Sequence, residues 1–398
     1  MELKFPERFL WGAATSSHQV EGGNINDWSE WEKKNAERLA RNASQKAWPD
    51  FILKSYPNPL QEENYISGGA CDHYNRFNED FDIAKSLGHN AHRFSIEWSR
   101  IEPEEGKFDE KEIEHYREVI KSLREKGMEP FVTLWHWTLP LWIRDIGGWK
   151  NKKTIGYFAR YADKMAEALG GEVKFWITLN ETNVYAGHSY FKGIWPPGKK
   201  SLIKYLRANH HLSRAHIAVY GSMKKMHPAA QIGVAQNMMH FTGFGAGIKN
   251  YVYNFFFLNS IRQHQDFIGI NYYKSDGEAK EYSDMGWPID AKGFSEVLKD
   301  AGRYEKPLYV LENGIADAKD DRRGNFIKEY IKAMKKAMDG GADVRGYFYW
   351  SLLDNFEWDK GFWPRFGLVE IDYKNLERKV RPSALEYAKI CKSNSLEK

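Results

Sequence analysis

The sequence predicts an α/β fold, a (β/α)8 or TIM barrel built from a single chain of 398 residues. Two observations support this: eight short β-rich runs alternate with helical segments, and polar or aromatic residues follow nearly every run. Strands that alternate with helices pair in parallel, because each helix returns the chain to the same end of the sheet. Eight such units close most simply as a barrel, so we expect one domain over residues 1–398.

The eight predicted strands lie at residues 9–14, 91–96, 130–134, 175–179, 231–235, 267–270, 307–311 and 344–349. Between them, apolar residues recur three and four positions apart over 113–123, 155–169 and 327–337, and glycines follow each of these helical segments. An open, doubly wound sheet is the alternative. No Gly-x-Gly-x-x-Gly pattern follows the first strand, however, and polar residues gather at many strand ends instead of one switch point.

Two regions depart from this alternation. Residues 24–70 insert a helix and an aromatic-rich loop after the first strand. The interval 237–267 must hold the fifth helix and both its loops, and its segment 242–247, TGFGAG, is a poor helix former. The fifth outer helix is therefore the one for which the sequence gives the least support.

The composition excludes several function classes. The 58 Lys and Arg nearly balance the 54 Asp and Glu, so a net charge of +4 gives no reason to expect nucleic acid as a partner. Two cysteines cannot form a disulfide framework. Neither a membrane-spanning apolar run nor a signal-peptide pattern is found, so we expect a cytoplasmic protein with no membrane partner. The 15 Trp, 22 Tyr and 23 Phe would suit sugar rings, whose C–H faces stack on aromatic side chains.

Side chains suited to chemistry stand at nearly every predicted strand end. The carboxyl ends of barrel strands share one face, where these side chains would form a single site. Local capping explains any one of them, but not the recurrence of Glu, His, Asn and Trp around the whole ring. They are His18, Gln19, Arg93, His136, Trp137, Asn180, Glu181, Asn237, Asn271, Tyr273, Glu312, Asn313, Trp350, Glu357 and Trp358.

Two carboxylates, Glu181 and Glu312, follow strands four and seven and would face each other across the barrel mouth. Hydrolysis of a glycosidic bond needs such a pair: one carboxyl group protonates the leaving oxygen, and the other attacks the sugar or activates water. Paired carboxylates also bind divalent metals, but no further acidic ligand or His–Glu–His grouping accompanies these two. We therefore expect neither a metal ion nor a cofactor.

Nine motifs give the chain a resemblance to a known family. They are FLWGAATSSHQVEG, HRFSIEWSRIEPEEGKFD, FVTLWHWTLPLW, FWITLNETNVY, FKGIWPPG, DFIGINYY, LYVLENG, YFYWSLLDNFEW and RFGLVEIDY. They are spread over almost the whole chain, and together they resemble the family 1 glycoside hydrolases, the β-glucosidase and β-galactosidase family. The resemblance implies a TIM-barrel hydrolase that acts on small β-glycosides or short oligosaccharides.

By resemblance, Glu181 in the Asn-Glu motif is the general acid/base, and Glu312 in the Glu-Asn-Gly motif is the nucleophile of a retaining mechanism. Arg93 and Tyr273 match the residues that keep the nucleophile ionised and oriented. The expected substrate-binding residues are Gln19, His136, Trp137, Asn180, Asn271, Trp350, Glu357 and Trp358, with Asn180 at the 2-hydroxyl and Trp350 beneath the sugar ring.

The resemblance implies an exo-acting β-glycosidase that releases terminal β-D-glucosyl residues and also accepts β-D-galactosyl or related residues. Glu357 would repel a phosphate group, which favours unphosphorylated sugars. Two alternatives stay open: a glycan-binding barrel with little or no catalysis, and a 6-phospho-β-glycosidase.

Two departures from the family pattern carry expectations of their own. Thr182 stands where the family usually has Pro, so we expect modest loosening of Glu181. Glu181 and Glu312 are also closer in sequence than is usual, because the intervals 237–267 and 273–312 are short. We therefore expect a truncated or missing fifth outer helix and a site that is open on the side of the leaving group.

Overall fold

The computed structural model describes residues 2–397, which are organised around a closed barrel of eight parallel strands. The strands of the chain are β1 (Glu2–Lys4), β2 (Leu10–Ala14), β3 (Ala91–Ser95), β4 (Glu129–Thr133), β5 (Phe175–Asn180), β6 (Gln231–His240), β7 (Phe267–Ser275), β8 (Leu308–Asn313), β9 (Val344–Trp350), β10 (Val369–Asp372), β11 (Glu377–Val380) and β12 (Ser395–Glu397). Strands β2 to β9 form the barrel in sequence order, and β9 pairs with β2 to close it. The predicted TIM barrel and its eight strands are confirmed.

Helices follow the barrel strands and cover the outside of the sheet. They are α1 (Ser17–Val20), α2 (Asp27–Ala43), α3 (Asp50–Leu53), α4 (His73–Ser86), α5 (Trp98–Ile101), α6 (Glu110–Glu125), α7 (Leu141–Asp145), α8 (Lys153–Leu169), α9 (Thr182–Ala186), α10 (Leu202–Met226), α11 (Ala246–Asn250), α12 (Phe256–Ser260), α13 (Ala291–Gly302), α14 (Arg323–Asp339) and α15 (Pro382–Ser393). The periodic segments 113–123, 155–169 and 327–337 lie in α6, α8 and α14, as predicted. Among residues 2–397, no helix combines the length and apolarity needed to cross a membrane.

Helix α6 illustrates why these segments are helical. The side chain of Asp109 accepts a hydrogen bond from the backbone N–H of Lys111 at 2.9 Å, which satisfies a donor that the first turn leaves free. The apolar face that includes Ile113 and Ile120 is buried against the barrel. Gly127 follows the helix at φ +73°, a backbone conformation that suits glycine and turns the chain into β4.

The fifth outer helix is present. It runs from Ala246 to Ser260 as α11, a π-helical turn over Tyr251–Phe255, and α12. Gly243 and Gly245 have φ angles of +72° and +75°, so the helix cannot begin earlier in this segment. Phe257 and Leu258 on its inner face are buried, and this packing holds the short helix in place. The fifth outer helix is therefore not missing, and its truncation stays a prediction.

Aromatic side chains fill the barrel interior. The rings of Phe131 and Phe175 stack with their centroids 4.2 Å apart, and Tyr309 meets Phe131 edge-on at 5.2 Å. Gly12 is needed beside this layer, because a Cβ atom there would lie 2.2 Å from the carbonyl oxygen of Ala91. The packed interior closes the barrel from below, so a ligand can enter only at the carboxyl ends of the strands.

The strands that carry the polar residues are longer than predicted. The fifth and sixth barrel strands, β6 and β7, were expected to end at residues 235 and 270. They continue to His240 and Ser275, and Asn237 pairs opposite Asn271. The register shifts between Ile270 and Asn271 along β7 and β8, and similar shifts occur on β5 and β8. Such bulges redirect side chains, so residues expected after the strands lie within them and point into the mouth.

The two ends of the described chain meet beneath the barrel. Strands β1 and β12 pair in an antiparallel manner, with Leu3 opposite Leu396. The indole N–H of Trp11, in the first barrel strand, donates to the side-chain oxygen of Asn394 at 2.9 Å. The first barrel strand is therefore fastened to the last segment of the described chain.

Candidate active site

A cavity of about 580 Å³ opens at the carboxyl ends of the barrel strands. Twelve residues were assigned to catalysis or substrate binding by resemblance, and nine of them line the cavity: Gln19, His136, Trp137, Glu181, Tyr273, Glu312, Trp350, Glu357 and Trp358. Arg93, Asn180 and Asn271 are completely buried, and they hydrogen-bond to the lining residues Glu312, His136 and Glu181. All twelve predicted residues therefore belong to one connected constellation.

Two donors fix the carboxylate of Glu312. Arg93 donates from Nη1 to one carboxylate oxygen, and the Tyr273 hydroxyl donates to the other at 2.5 Å. Arg93 is itself held by Asn180 Oδ1 at 2.7 Å and Thr133 Oγ1 at 3.1 Å, so a fully buried guanidinium is paired in every direction. Burial and the negative charge of Glu312 raise the pKa of Tyr273 well above its ordinary value. The Tyr273 hydroxyl therefore keeps its proton and remains a donor.

Glu181 lies in a different environment. Its Oε1 accepts hydrogen bonds from Asn271 at 2.7 Å and Asn237 at 3.1 Å. Burial, and secondly the charge of Glu312, raise the pKa of Glu181 to about 8, although the two amides and Arg93 lower it in part. At neutral pH the side chain therefore retains a proton, which an ordinary glutamic acid would have lost.

The backbone holds Glu181 in an unusual conformation. The residue has φ +43°, in the left-handed region, where β5 gives way to α9. Its backbone N–H donates to the carbonyl of Ala235 at 2.7 Å, which fixes this turn to the neighbouring strand. A non-glycine residue in this region is strained by on the order of 1–3 kcal/mol, and such strain is common where a side chain must be aimed at a ligand.

Asn180 connects the two carboxyl groups to the aromatic wall. Its Oδ1 accepts from Arg93 and from Asn271, and its Nδ2 lies 3.0 Å from His136 Nε2. Burial, together with the charge of Arg93, lowers the pKa of His136 well below its ordinary value, so the ring is neutral. Because Nε2 accepts from an amide N–H, the hydrogen of His136 must be on Nδ1.

Gln19 and Glu357 form a second polar pair on the opposite wall. Gln19 Nε2 donates to the carbonyl oxygen of Phe356 at 2.7 Å and approaches Glu357 Oε2 at 3.5 Å. Burial raises the pKa of Glu357 to about 8, and the charges of Asp359 and Glu312 act in the same direction. A protonated Glu357 can both donate and accept hydrogen bonds, as recognition of a sugar hydroxyl requires.

Indole rings form the rest of the wall. The centroids of Trp137 and Trp358 are 4.7 Å apart, and Trp195 lies 4.8 Å from Trp137. His136 stacks between Trp350 and Trp358, with centroid distances of 6.1 and 6.0 Å. The cavity thus combines flat apolar surfaces with a few convergent polar groups, which suits a pyranose ring.

Several lining residues have no counterpart among the predicted site residues. Tyr253 donates to Asn237 Oδ1 at 2.8 Å and so orients the amide that bonds Glu181. Lys274 and Trp287 line the outer part of the cavity. Trp195 belongs to the motif FKGIWPPG and could have been found there, whereas Tyr253 lies in the shortened segment, where no motif marks it.

Residues 2–397 contain no group of three His, Cys, Asp or Glu side chains arranged to hold a metal ion. The absence of a cofactor stays a prediction.

Comparison with known proteins places this site in a family. The model of the family described as "Glycosyl hydrolase family 1" matches residues 1–252 and 276–396. The chain belongs to glycosyl hydrolase family 1. It is therefore a hydrolase of O-glycosyl bonds, as expected from the nine motifs.

Curated members of family 1 match this chain over nearly its full length. The sequence is 34% identical to Beta-glucosidase A of Thermotoga maritima and 31% identical to Beta-glucosidase A of Acetivibrio thermocellus, and each match covers 99% of this family 1 chain and 99% of the relative. The first alignment extends over 464 residues although the chain has 398, so the relative is longer. This agrees with shortened segments in this chain.

Solved family 1 structures share the fold throughout. A beta-glycosidase from Pyrococcus horikoshii superposes with a TM-score of 0.89 at 36% identity and covers 100% of this chain and 97% of that chain. Beta-glucosidase from Thermotoga maritima in complex with deoxynojirimycin superposes with a TM-score of 0.87 at 31% identity, over 99% of this chain and 100% of that chain.

Proposed function

We propose that this family 1 hydrolase is a retaining, exo-acting β-glycosidase that releases terminal non-reducing β-D-glucosyl residues through a covalent glycosyl-enzyme. We further propose that β-D-galactosyl or related residues are accepted and that residues 1–398 act as one catalytic domain. The β-glucosidase names of the full-length relatives support the glucosyl assignment. The cytoplasmic location expected from the sequence stays a prediction.

One observation carries the mechanism: the two carboxyl groups have opposite environments. Glu312 accepts from a cation and a phenol, which aim it as a nucleophile. Glu181 keeps its proton near neutral pH and can give it to the leaving oxygen. When Glu312 becomes glycosylated its charge is lost, so the proton affinity of Glu181 falls. Glu181 is then free to act as the base that activates water in the second step.

The remaining predicted residues are assigned to the sugar. In this proposal Asn180 meets the 2-hydroxyl, Gln19 and Glu357 bind hydroxyls on the far side of the ring, and Trp350 lies beneath it. Asn180 already bonds Arg93, Asn271 and His136, so it is rigidly oriented before the substrate arrives. Trp137 and Trp358 complete the wall.

The two alternatives are less well supported. A purely glycan-binding barrel would not need two buried carboxyl groups in such different environments, one paired with Arg93 and Tyr273 and the other bonded only by amides. A 6-phospho-β-glycosidase would need a free cation at the end of the cavity where Glu357 stands. The cation that acts on Glu357 there, Lys360, is already paired with Asp359 at 2.6 Å.

A single variant tests the mechanism. Glu312→Ala should reduce hydrolysis of an aryl β-glucoside by more than about 10³-fold, because it removes the nucleophile. Circular dichroism should show that the fold is retained, although loss of the carboxylate that pairs with Arg93 should lower the melting temperature. Glu370→Ala, at an exposed position on β10, is the matched control and should retain full activity. Proton NMR of the first sugar released by wild type should show the β anomer.

Three results would contradict the proposal. They are appearance of the α anomer first, full activity in Glu312→Ala, and calorimetric sugar binding without turnover on any aryl β-glycoside. A panel of aryl β-glucosides, β-galactosides and glucoside 6-phosphates would also rank the substrates. A preference for the phosphorylated sugar would favour the 6-phospho-β-glycosidase.

A further inference from the structure

A cationic side chain projects into the outer part of the cavity without an anionic partner. Lys274 follows Tyr273 on β7, so it is one residue nearer the rim than the residue that touches Glu312. Its Nζ lies 4.9 Å from the centre of the Trp287 ring. Among residues 2–397 no carboxylate forms an ion pair with it. Lys274 therefore presents three free hydrogen-bond donors to the cavity.

The surroundings of Lys274 add positive charge instead of offsetting it. Burial, and then the charges of Lys192 and Lys360, lower the pKa of Lys274. The nearby carboxylate of Asp359 is already engaged, because it accepts from Lys360 at 2.6 Å and from the indole of Trp195 at 2.9 Å. A half-buried cation in this setting is stabilised by an added anion more than by a neutral group.

The second carboxylate of the outer cavity is also engaged. Asp284 lines the cavity but accepts from the guanidinium of Arg322 and from the backbone N–H of Ala318, the latter at 2.8 Å. The loop that carries Asp284 also places Trp287 in the wall, so a flat aromatic surface lies directly beside Lys274. A flat group that bears an anion would contact both side chains.

The opposite wall contains no negative charge at all. Residues 182–265 include ten Lys or Arg and not one Asp or Glu, although charge is nearly balanced over the whole chain. This run supplies seven cavity-lining residues, namely Val184, His188, Ile194, Trp195, Asn237, Met239 and Tyr253. None of these seven residues is acidic, so this wall of the cavity offers Lys274 no carboxylate as a partner.

We propose that Lys274 binds an anionic group on the leaving-group half of the substrate, so that β-glucosides with an acidic aromatic aglycone are preferred. This rests on the proposed function, which places the sugar between Gln19, Glu357 and Trp350 and the leaving group toward the rim. The anion supplies the partner that Lys274 lacks, and the aromatic ring packs on Trp287. Because the contact persists in the transition state of glycosylation, it raises kcat/KM.

A matched pair of substrates tests this. The 4-carboxyphenyl and 4-carbamoylphenyl β-D-glucosides differ in charge but have leaving groups of similar shape. Wild type should prefer the carboxylate, and Lys274→Met should reduce that preference in kcat/KM by about 10- to 100-fold. The variant should leave the carbamoyl substrate within about twofold of wild type. Lys274→Arg should recover much of the preference, and Lys332→Met, on the exposed face of α14, should not change it.

A binding measurement separates this proposal from the proposed function. In Glu312→Gln, calorimetry should find 4-hydroxybenzoate bound more tightly than 4-hydroxybenzamide, and Lys274→Met should abolish the difference whether or not any glucoside is hydrolysed. An unchanged preference in Lys274→Met would overturn the proposal. So would an equal loss on both substrates, because that would mean Lys274 only packs against Trp287. Absence of hydrolysis on both substrates would refute the proposed function instead.

Discussion

Removal of one amide should extend the activity of this enzyme to higher pH. Asn237 donates to Glu181 Oε1 at 3.1 Å and thereby stabilises the ionised carboxylate. In Asn237→Ala the ionised form loses that bond while Asn271 still donates to the same oxygen. A hydrogen bond to a charged group is worth about 1.5–3 kcal/mol, and we take the lower end because one donor remains. Each 1.36 kcal/mol corresponds to about a tenfold change in proton affinity.

The pKa of Glu181 should therefore rise from about 8 toward about 9 in this variant. Glu181 must be protonated to assist departure of the leaving group, so activity falls as pH rises through its pKa. The fall should move to higher pH in Asn237→Ala, even if the maximal rate is lower. Since kcat/KM reports the free enzyme, it should be measured from pH 5 to 10 on a phenyl β-glucoside.

A substrate with a very good leaving group supplies the control. Hydrolysis of 2,4-dinitrophenyl β-glucoside needs no proton from Glu181 in the first step, so the alkaline fall in kcat/KM should disappear in wild type and variant alike. Tyr253→Phe, which frees the amide of Asn237 to rotate, should move the fall in the same direction by a smaller amount. A fall that stays in place or moves to lower pH in Asn237→Ala would refute the reasoning.

Three further predictions concern stability and the buried charges. Burial raises the pKa of folded Glu357 from 4.5 to about 8, so its protonated form adds stability that is fully present below pH 4.5 and is lost as pH rises through 8. The free energy of unfolding, measured in urea between pH 5 and 9, should therefore fall by up to about 5 kcal/mol less in Glu357→Gln than in wild type. The same pH dependence in both proteins would contradict the assignment. Among residues 2–397 no protein group bonds the buried hydroxyl of Thr182, so Thr182→Val should raise the free energy of unfolding by about 1 kcal/mol. Thr178→Val is the matched control, because it breaks a 2.6 Å contact with His216 Nδ1 and should cost about 1–2 kcal/mol; equal effects of the two changes would show that the hydroxyl partner is irrelevant. Arg93→Met should lower kcat/KM by more than about 100-fold and the free energy of unfolding by about 3–5 kcal/mol, whereas retention of activity would mean that the ion pair does not orient the nucleophile.

The barrel was predictable because its strands are buried on both faces and appear in the sequence as short, continuous apolar runs. The ends of β6 and β7 were not predictable, because the apolar pattern breaks at Asn237 and Asn271 while strand pairing continues. These two amides fit within the strands because they have polar partners there, above all Glu181, which accepts from both, and a single sequence does not reveal that pairing.

The site was predictable wherever a motif marks it. Glu181 and Glu312 could be paired from the order of the strands alone, and the resemblance supplied Arg93 and Tyr273. Lys274 was missed because nothing in the sequence indicates that it faces the same cavity as the two glutamates. The acid-free run 182–265 was overlooked because the total counts of acidic and basic residues nearly cancel.

The order in which the barrel strands pair also constrains how the protein is made. Strand β2 needs β9 as its second neighbour, and β1 pairs only with β12, close to residue 397. During synthesis on the ribosome, one edge of β2 therefore stays unpaired until Val344–Trp350 has emerged. More than three hundred residues are added between these two strands. An exposed edge is a template for wrong pairing, so this stage is the most vulnerable to aggregation in the cell. The antiparallel pair β1–β12 forms later still, once Ser395–Glu397 has emerged.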